Sequence, residues 1–267
     1  MRVDPTAIEL TDRVALVTGV GRGLGRATAV TLARFGATVA MCDRRADALT
    51  ETETAVRAIG AAPLARVFDV RDADAATSFV DDVVAAHGRI DVLVNNAGGT
   101  FFAPFLELSD KGEETLVAEN FTQVTRLVRL VVPHMPAGGS IVNLTSVEAH
   151  QAAPGFAVYA AMKAALAQLT RTLALELAPR GVRVNAVAPD AIPTEGDEGV
   201  RDAMLADGAG YEPVFVPPLG AMGRPEDAAG VVVFLASPLA GFVTGVTVHV
   251  DGGTWAAGGW RRVEPPT

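Results

Sequence analysis

The chain has 267 residues, of which 49% are hydrophobic and 20% charged, with a formal net charge of −9. That apolar share supplies a sizeable buried core and excludes a disordered composition. The excess negative charge disfavours contact with nucleic acid or an anionic membrane, because like charges repel at contact range.

A single cysteine, Cys42, leaves no internal disulfide framework and fits a reducing compartment. The opening stretch MRVDPTAIELTDR has no apolar core of a secretory signal, and no uncharged apolar run reaches spanning length. The expectation is a soluble, cytoplasmic protein with no nucleic-acid or membrane partner.

In chain order, VALVT (14–18) and ATVAMC (37–42) read as buried strands, separated by an Ala/Leu-rich helical pattern from Leu24 to Phe35. The alternation continues with a helix over 46–59, the extended run LARVF, a helix over 73–87 and the strand DVLVN (91–95). A long helical stretch covers 113–132, SIVNLT (140–145) is a strand, and 157–178 is helical. VRVNAVA (182–188), a helix over 225–236 and VTVHV (246–250) complete the pattern. Such alternation implies right-handed crossovers and a doubly wound α/β parallel sheet of about seven strands, covered by helices on both faces. No linker-like shift in composition interrupts it, so one domain over 1–267 is expected. Residues 189–224 hold Pro189, Pro193, Pro213, Pro217 and Pro218 and are too long for an ordinary connection; they read as a substrate lid.

The stretch TGVGRGLG (18–25) follows the first strand and opens the first helix. Glycines there allow a tight turn and let a pyrophosphate reach backbone N–H groups at a helix N-terminus, where the dipole also favours anions. Its spacing misses the common G-x-G-x-x-G pattern, so by itself it could also be a simple turn. Asp43 follows the second strand, where a carboxylate could accept from an adenosine ribose or could merely cap a helix. Further along, YAAMK (159–163) places one of only two tyrosines four positions from one of only two lysines. This is either an exposed pair on one helix face or a phenol tuned by an ammonium one turn away.

Taken together, these motifs resemble the short-chain dehydrogenase/reductase family. T-G-x-x-x-G-x-G is met by Thr18 to Gly25, and NNAG (95–98), YAAMK and TGVTVHVDGG (244–253) follow in the family's order. The likeness runs from about residue 10 to 254. It implies a Rossmann-type fold and hydride transfer between a nicotinamide cofactor and a secondary alcohol or ketone. Free tyrosine, with a pKa near 10, is a poor proton acceptor at neutral pH, and a neighbouring cation lowers that value.

By this resemblance Tyr159 is the acid/base, and Lys163 lowers its pKa and contacts the nicotinamide ribose. Ser146, at the end of SIVNLTS, hydrogen-bonds the substrate oxygen, whereas strand alternation turns its neighbour Thr145 to the other face. Asn120 holds a water that links the lysine to solvent. The cofactor-binding set implied is Gly19, Arg22, Gly23, Leu24, Gly25, Asp43, Asp69, Val70, Asn96, Ala97, Gly98, Tyr159, Lys163, Pro189, Ile192 and Thr194. Within it Asp69 contacts the adenine and Thr194 the carboxamide. One departure stands out: where the family has Pro-Gly, this chain has Pro189-Asp190.

Asp43 should accept from both ribose hydroxyls and repel a 2′-phosphate, so NAD is expected over NADP, although Arg22 and Arg44 could neutralise that phosphate. Phe101, Phe102, Tyr211, Phe215, Val216 and Met222 could line a wide apolar pocket. Glu148, two residues past Ser146, should share its side of the chain if the extended conformation continues. With Glu195, Asp197 and Glu198 on the lid, it makes a poor mouth for anions. The expected substrate is a bulky, mostly uncharged secondary alcohol or ketone, of which cyclic and steroid-like compounds are examples.

A 3-oxoacyl thioester reductase is the runner-up, and a non-catalytic NAD-binding sensor the second alternative. His87, His134, His150 and His249 lack ligand spacing, so no metal is expected. The small side chains around Tyr159 and the family habit point to a homotetramer, with a dimer as the fallback.

Overall fold

A computed structural model of the chain describes residues 4–195, 202–203 and 216–258. Among these residues seven strands form one sheet: β1 (Val14–Thr18), β2 (Thr38–Asp43), β3 (Leu64–Val67), β4 (Val92–Asn95), β5 (Ser140–Leu144), β6 (Arg183–Pro189) and β7 (Thr247–Val250). All neighbouring pairs are parallel, in the order β3-β2-β1-β4-β5-β6-β7. Each expected strand is present, its ends shifted by at most one residue.

Among the described residues the helices are α1 (Gly23–Arg34), α2 (Ala46–Ala58), α3 (Ala73–His87), α4 (Asp110–Val117), α5 (Gln123–Val131), α6 (Ala157–Glu176), α7 (Pro225–Ala236) and the single turn α8 (Thr254–Ala257). Alternation within the strands explains two cores. Ala15, Val17, Val39 and Met41 pack with Leu32 of α1 and Val232 and Leu235 of α7. Val14, Leu16, Ala40 and Cys42 face the other way, against Phe79 and Val83 of α3, Leu127 of α5 and Leu166 of α6. A strand apolar on both faces is what a sheet covered on both sides requires. Strand order reverses between β1 and β4, so a crevice opens at their carboxyl ends, the usual ligand position in such sheets.

One expectation needs correcting in detail. The helix foreseen over 113–132 is interrupted by a π-helical turn, Ala118–Thr122. The Asn120 side-chain amide donates to the Leu116 carbonyl at 3.0 Å, the acceptor a regular helix would give to the Asn120 backbone N–H. Such turns recur at functional sites. No helix of the described residues is long and apolar enough to cross a membrane. Of the lid, Tyr211, Phe215, Asp197 and Glu198 lie outside the described residues.

Candidate active site

The glycine turn closes over the crevice. Gly19 has φ +69°, and a Cβ on it would stand 2.7 Å from Ala97 Cα, so the turn needs glycine both for its conformation and for its approach to β4. A Cβ on Gly25 would run into the Gly19 carbonyl. Asn96 staples the two walls: its amide donates to the carbonyls of Thr18 and Gly19, each at 2.9 Å. The Thr18 hydroxyl accepts from Ala97 N–H at 3.0 Å. Asp43, at the end of β2, accepts from Gly21 N–H at 2.7 Å and from Arg45 N–H at 2.9 Å. Gly23 N–H, at the start of α1, donates to the Glu195 carboxylate at 3.1 Å, while Arg22 donates to the Glu195 carbonyl at 3.0 Å. An anion therefore already sits where a phosphate is expected, and this cradle fits such a group.

Around the crevice, Val70 is buried and Leu24 half-buried. Asp69 is drawn onto Arg71, which donates to it through its backbone N–H and guanidinium, both at 2.9 Å; the Arg71 side-chain bond is the largest cause of a lowered Asp69 pKa. Thr194 lies over the turn, its Cγ2 2.9 Å from where a Gly23 Cβ would be, and Ile192 packs likewise against Gly223. Pro189 ends β6, paired with Val250.

The second group gathers at the ends of β4 and β5. Lys163, only 5% exposed on the inner face of α6, donates to the Leu144 carbonyl at 2.9 Å, and its Nζ lies 5.5 Å from the centre of the Tyr159 ring. Burial lowers its pKa to about 8, against the opposing pull of Glu148 and Glu119. The π turn sets Asn120 beside it. The Asn120 amide also donates to the Gly99 carbonyl at 2.8 Å, and a Cβ on Gly98 would lie 2.8 Å from Asn120 Oδ1 and 3.3 Å from Lys163 Nζ. Thr145 turns into the sheet, its hydroxyl donating to the Val187 carbonyl at 2.9 Å, while Ser146 faces the crevice side and hydrogen-bonds Glu148. Glu148 reaches Ser146 because Val147–Ala149 form a 3-10 turn, not through a continued extended chain as the sequence suggested.

Burial pushes the Glu148 carboxyl above the usual range, with Asp190 reinforcing the rise and the Ser146 hydrogen bond and Lys163 opposing it. Asp190, in the place of the family glycine, is itself raised, by burial first. It keeps ordinary backbone geometry, and the next residue, Ala191, takes φ +53°.

A family model described as enoyl-(acyl carrier protein) reductase matches residues 19–254. The 3-oxoacyl-(acyl-carrier-protein) reductase of Thermotoga maritima is 38% identical over 248 residues, 92% of this chain and 99% of that protein. The gluconate 5-dehydrogenase of Gluconobacter oxydans is 37% identical over 252 residues, 93% of this chain and 97% of its own. The crystal structure of carveol dehydrogenase from Mycobacterium avium in complex with NAD superposes with a TM-score of 0.84 at 32% identity, covering 93% of this chain and 99% of that one. The chain belongs to the short-chain dehydrogenase/reductase family. It is thus an oxidoreductase of a family that binds a nicotinamide cofactor.

Within this short-chain dehydrogenase/reductase, sequence reasoning missed a buried polar relay. Asn95 donates to Asn143 at 2.8 Å, Asn143 to the Thr170 hydroxyl at 2.9 Å, and Thr170 to the Leu166 carbonyl at 2.9 Å. It ties β4, β5 and α6 together, with Thr170 about two turns past Lys163 on α6, and the NNAG motif was its one visible sign. Sequence reasoning also missed Gln123, whose amide donates to the Ala97 carbonyl at 3.0 Å.

Proposed function

We propose that this enzyme interconverts a secondary alcohol and its ketone with NAD(H), using Tyr159 as the proton donor and acceptor. The observation that carries this reading is the buried Lys163 ammonium, 5.5 Å from the Tyr159 ring. Below about pH 8 it is charged, and a cation that close in a poorly solvated site favours phenolate over phenol. The bound nicotinamide would supply or accept the hydride. Tyr159 moves the proton at its phenolic oxygen, Ser146 Oγ positions the substrate oxygen, and Asn120 walls the lysine side.

The cofactor would lie across the glycine turn, its pyrophosphate on the Gly23 N–H and its adenosine ribose against Asp43. NAD is favoured over NADP because the arginines that could neutralise a 2′-phosphate are engaged. Arg22 bonds to Glu195, and Arg44 lies 3.7 Å from Glu119. Supporting an apolar substrate body, Phe102 packs edge-on against Phe156 with ring centres 5.6 Å apart, and Phe101, Leu116 and Val158 surround a void beside α4 that holds about one water. The substrate we infer is a bulky, mostly uncharged, cyclic alcohol whose body would rest on these apolar side chains. A 3-oxoacyl thioester is the second reading, favoured by the Thermotoga relative.

Exposed Leu175, Phe242 and Val246 flank the edge strand β7 and support self-association into a tetramer. The test is a panel of cyclic alcohols, hydroxysteroids and 3-hydroxyacyl thioesters, assayed with each cofactor. Turnover of thioesters alone gives the second reading, and tighter binding of NADPH than NADH overturns the cofactor assignment. Tyr159→Phe should cost at least about a hundredfold in turnover, the usual scale for a general acid/base.

A further inference from the structure

Ser146 is 7% exposed and precedes a 3-10 turn that folds Glu148 back over it, so that the serine hydroxyl donates to Glu148 Oε2. A hydroxyl has one proton and two lone pairs. If that proton goes to Glu148, Ser146 can offer a substrate oxygen only lone pairs. Both a ketone oxygen and the alkoxide-like oxygen of the transition state need a donor instead. The Ser146–Glu148 contact is therefore in conflict with the role assigned to Ser146, unless Glu148 can change its own state.

We propose that Glu148 is a positioning residue that sets the direction of the Ser146 hydroxyl: as a carboxylate it takes the Ser146 proton, and as a neutral acid it donates to Ser146 Oγ and releases that proton to the substrate oxygen. The inference rests on the reading of Ser146 and Tyr159 given above. The one covalent change is the O–H bond formed when the Glu148 carboxylate takes a proton from solvent; everything else is an exchange of hydrogen bonds.

The surroundings of Glu148 suit this exchange. Burial works against its carboxylate form, and Asp190, following β6, adds a like charge. Behind Asp190 stands Asp251, which follows β7 and adds a like charge to it, while the Thr254 hydroxyl donates to the Asp251 carbonyl at 2.9 Å. From α6, Lys163 favours the carboxylate, and so does the Ser146 bond itself. His150, two residues on, packs its ring against His249 at 4.8 Å and Trp255 at 5.6 Å. A carboxyl placed among these groups titrates above the ordinary carboxylate range, closer to the pH at which the enzyme would work.

The sign follows directly. The competent form is the protonated one, so ketone reduction is favoured below the Glu148 pKa and lost as pH rises through it.

The test is kcat/KM for ketone reduction from about pH 5 to pH 9 in wild type, Glu148→Gln, Glu148→Ala, Ser146→Ala and the double variant Ser146→Ala/Glu148→Gln. Wild type should lose about tenfold per pH unit above the Glu148 limb. Glu148→Gln, permanently neutral, and Glu148→Ala should both lack that limb. In the Ser146→Ala background the Gln substitution should leave the profile unchanged, since Glu148 would have no hydroxyl to direct. An unaltered limb in Glu148→Gln overturns the proposal, and so does an equal effect of that substitution without Ser146. Tyr159→Phe, run alongside, separates the two readings: full turnover there refutes the site assignment itself. A crippled Tyr159→Phe with an unaltered Glu148→Gln profile refutes only the role of Glu148.

Discussion

Replacing Lys163 with methionine should make the cofactor-free protein more stable near neutral pH while abolishing its activity. The ammonium is almost fully buried, and burial brings its pKa from 10.5 to about 8. At about 1.4 kcal/mol per pH unit, holding that charge in the folded state costs roughly 3 kcal/mol. Methionine keeps the length and removes the charge, but it leaves the Leu144 carbonyl, 2.9 Å from Nζ, without its donor, a loss of about 1–2 kcal/mol.

The net expectation is a gain of about 1–2 kcal/mol below pH 8. Between pH 8 and 10.5 the unfolded chain holds the lysine proton more tightly than the folded one, so wild-type stability rises with pH across that window. The advantage of the variant must therefore shrink through this range and vanish or reverse above it. Urea unfolding of both proteins at a series of pH values reads the difference directly. A variant less stable at pH 7, with a gap that does not change up to about pH 10, would refute the reasoning that burial dominates this lysine.

Ala191 occupies the left-handed region at φ +53°, so Ala191→Gly should raise stability by about 1 kcal/mol, seen as a higher urea midpoint; a fall would mean that its methyl contributes packing. Thr170→Val keeps the shape but strips the acceptor from the buried Asn143 amide, and should cost about 1–3 kcal/mol in the same assay, against near zero if the relay is incidental. Ser146→Ala should reduce turnover far more than Thr145→Ala, because the Thr145 hydroxyl is committed to the Val187 carbonyl; the reverse ranking in steady-state kinetics would exchange their roles.

The parts of this molecule that could be read from the sequence are those whose cause is local. Val14–Thr18 is apolar on both faces and can only be a buried strand, and Gly19 to Gly25 follow it at the one point where a turn must touch a neighbouring strand. The pairing of Tyr159 with Lys163 is one helical turn, visible in spacing alone. What escaped is set by groups distant in sequence. Asn95, Asn143 and Thr170 meet only once β4, β5 and α6 are packed, and the separations of 48 and 27 residues carry no periodic signal. The π turn at Asn120 arises from competition between a side-chain amide and a backbone N–H for one carbonyl, which no residue pattern announces. Glu148 was expected beside Ser146 for the wrong geometric reason, since the chain curls there and does not run on. Glu195 was foreseen only as a lid charge, yet it bonds to the Gly23 N–H, 172 residues away.

The Asn96 staple also bears on how the molecule is made. Its two carbonyl partners, Thr18 and Gly19, lie 78 and 77 residues earlier in the chain, and β1 finds β4 through pairs such as Ala15 with Val92. A nascent chain that has released only β1, α1 and β2 carries every glycine of the turn but lacks the opposite wall. The loop joining those walls must close before any contact between them is gained, which makes this step slow relative to helix formation. A dinucleotide bound across the turn as proposed above therefore could not template the first half of the fold. It can only trap chains whose fourth strand is already in place, and its stabilising effect should grow with the logarithm of its concentration over its dissociation constant.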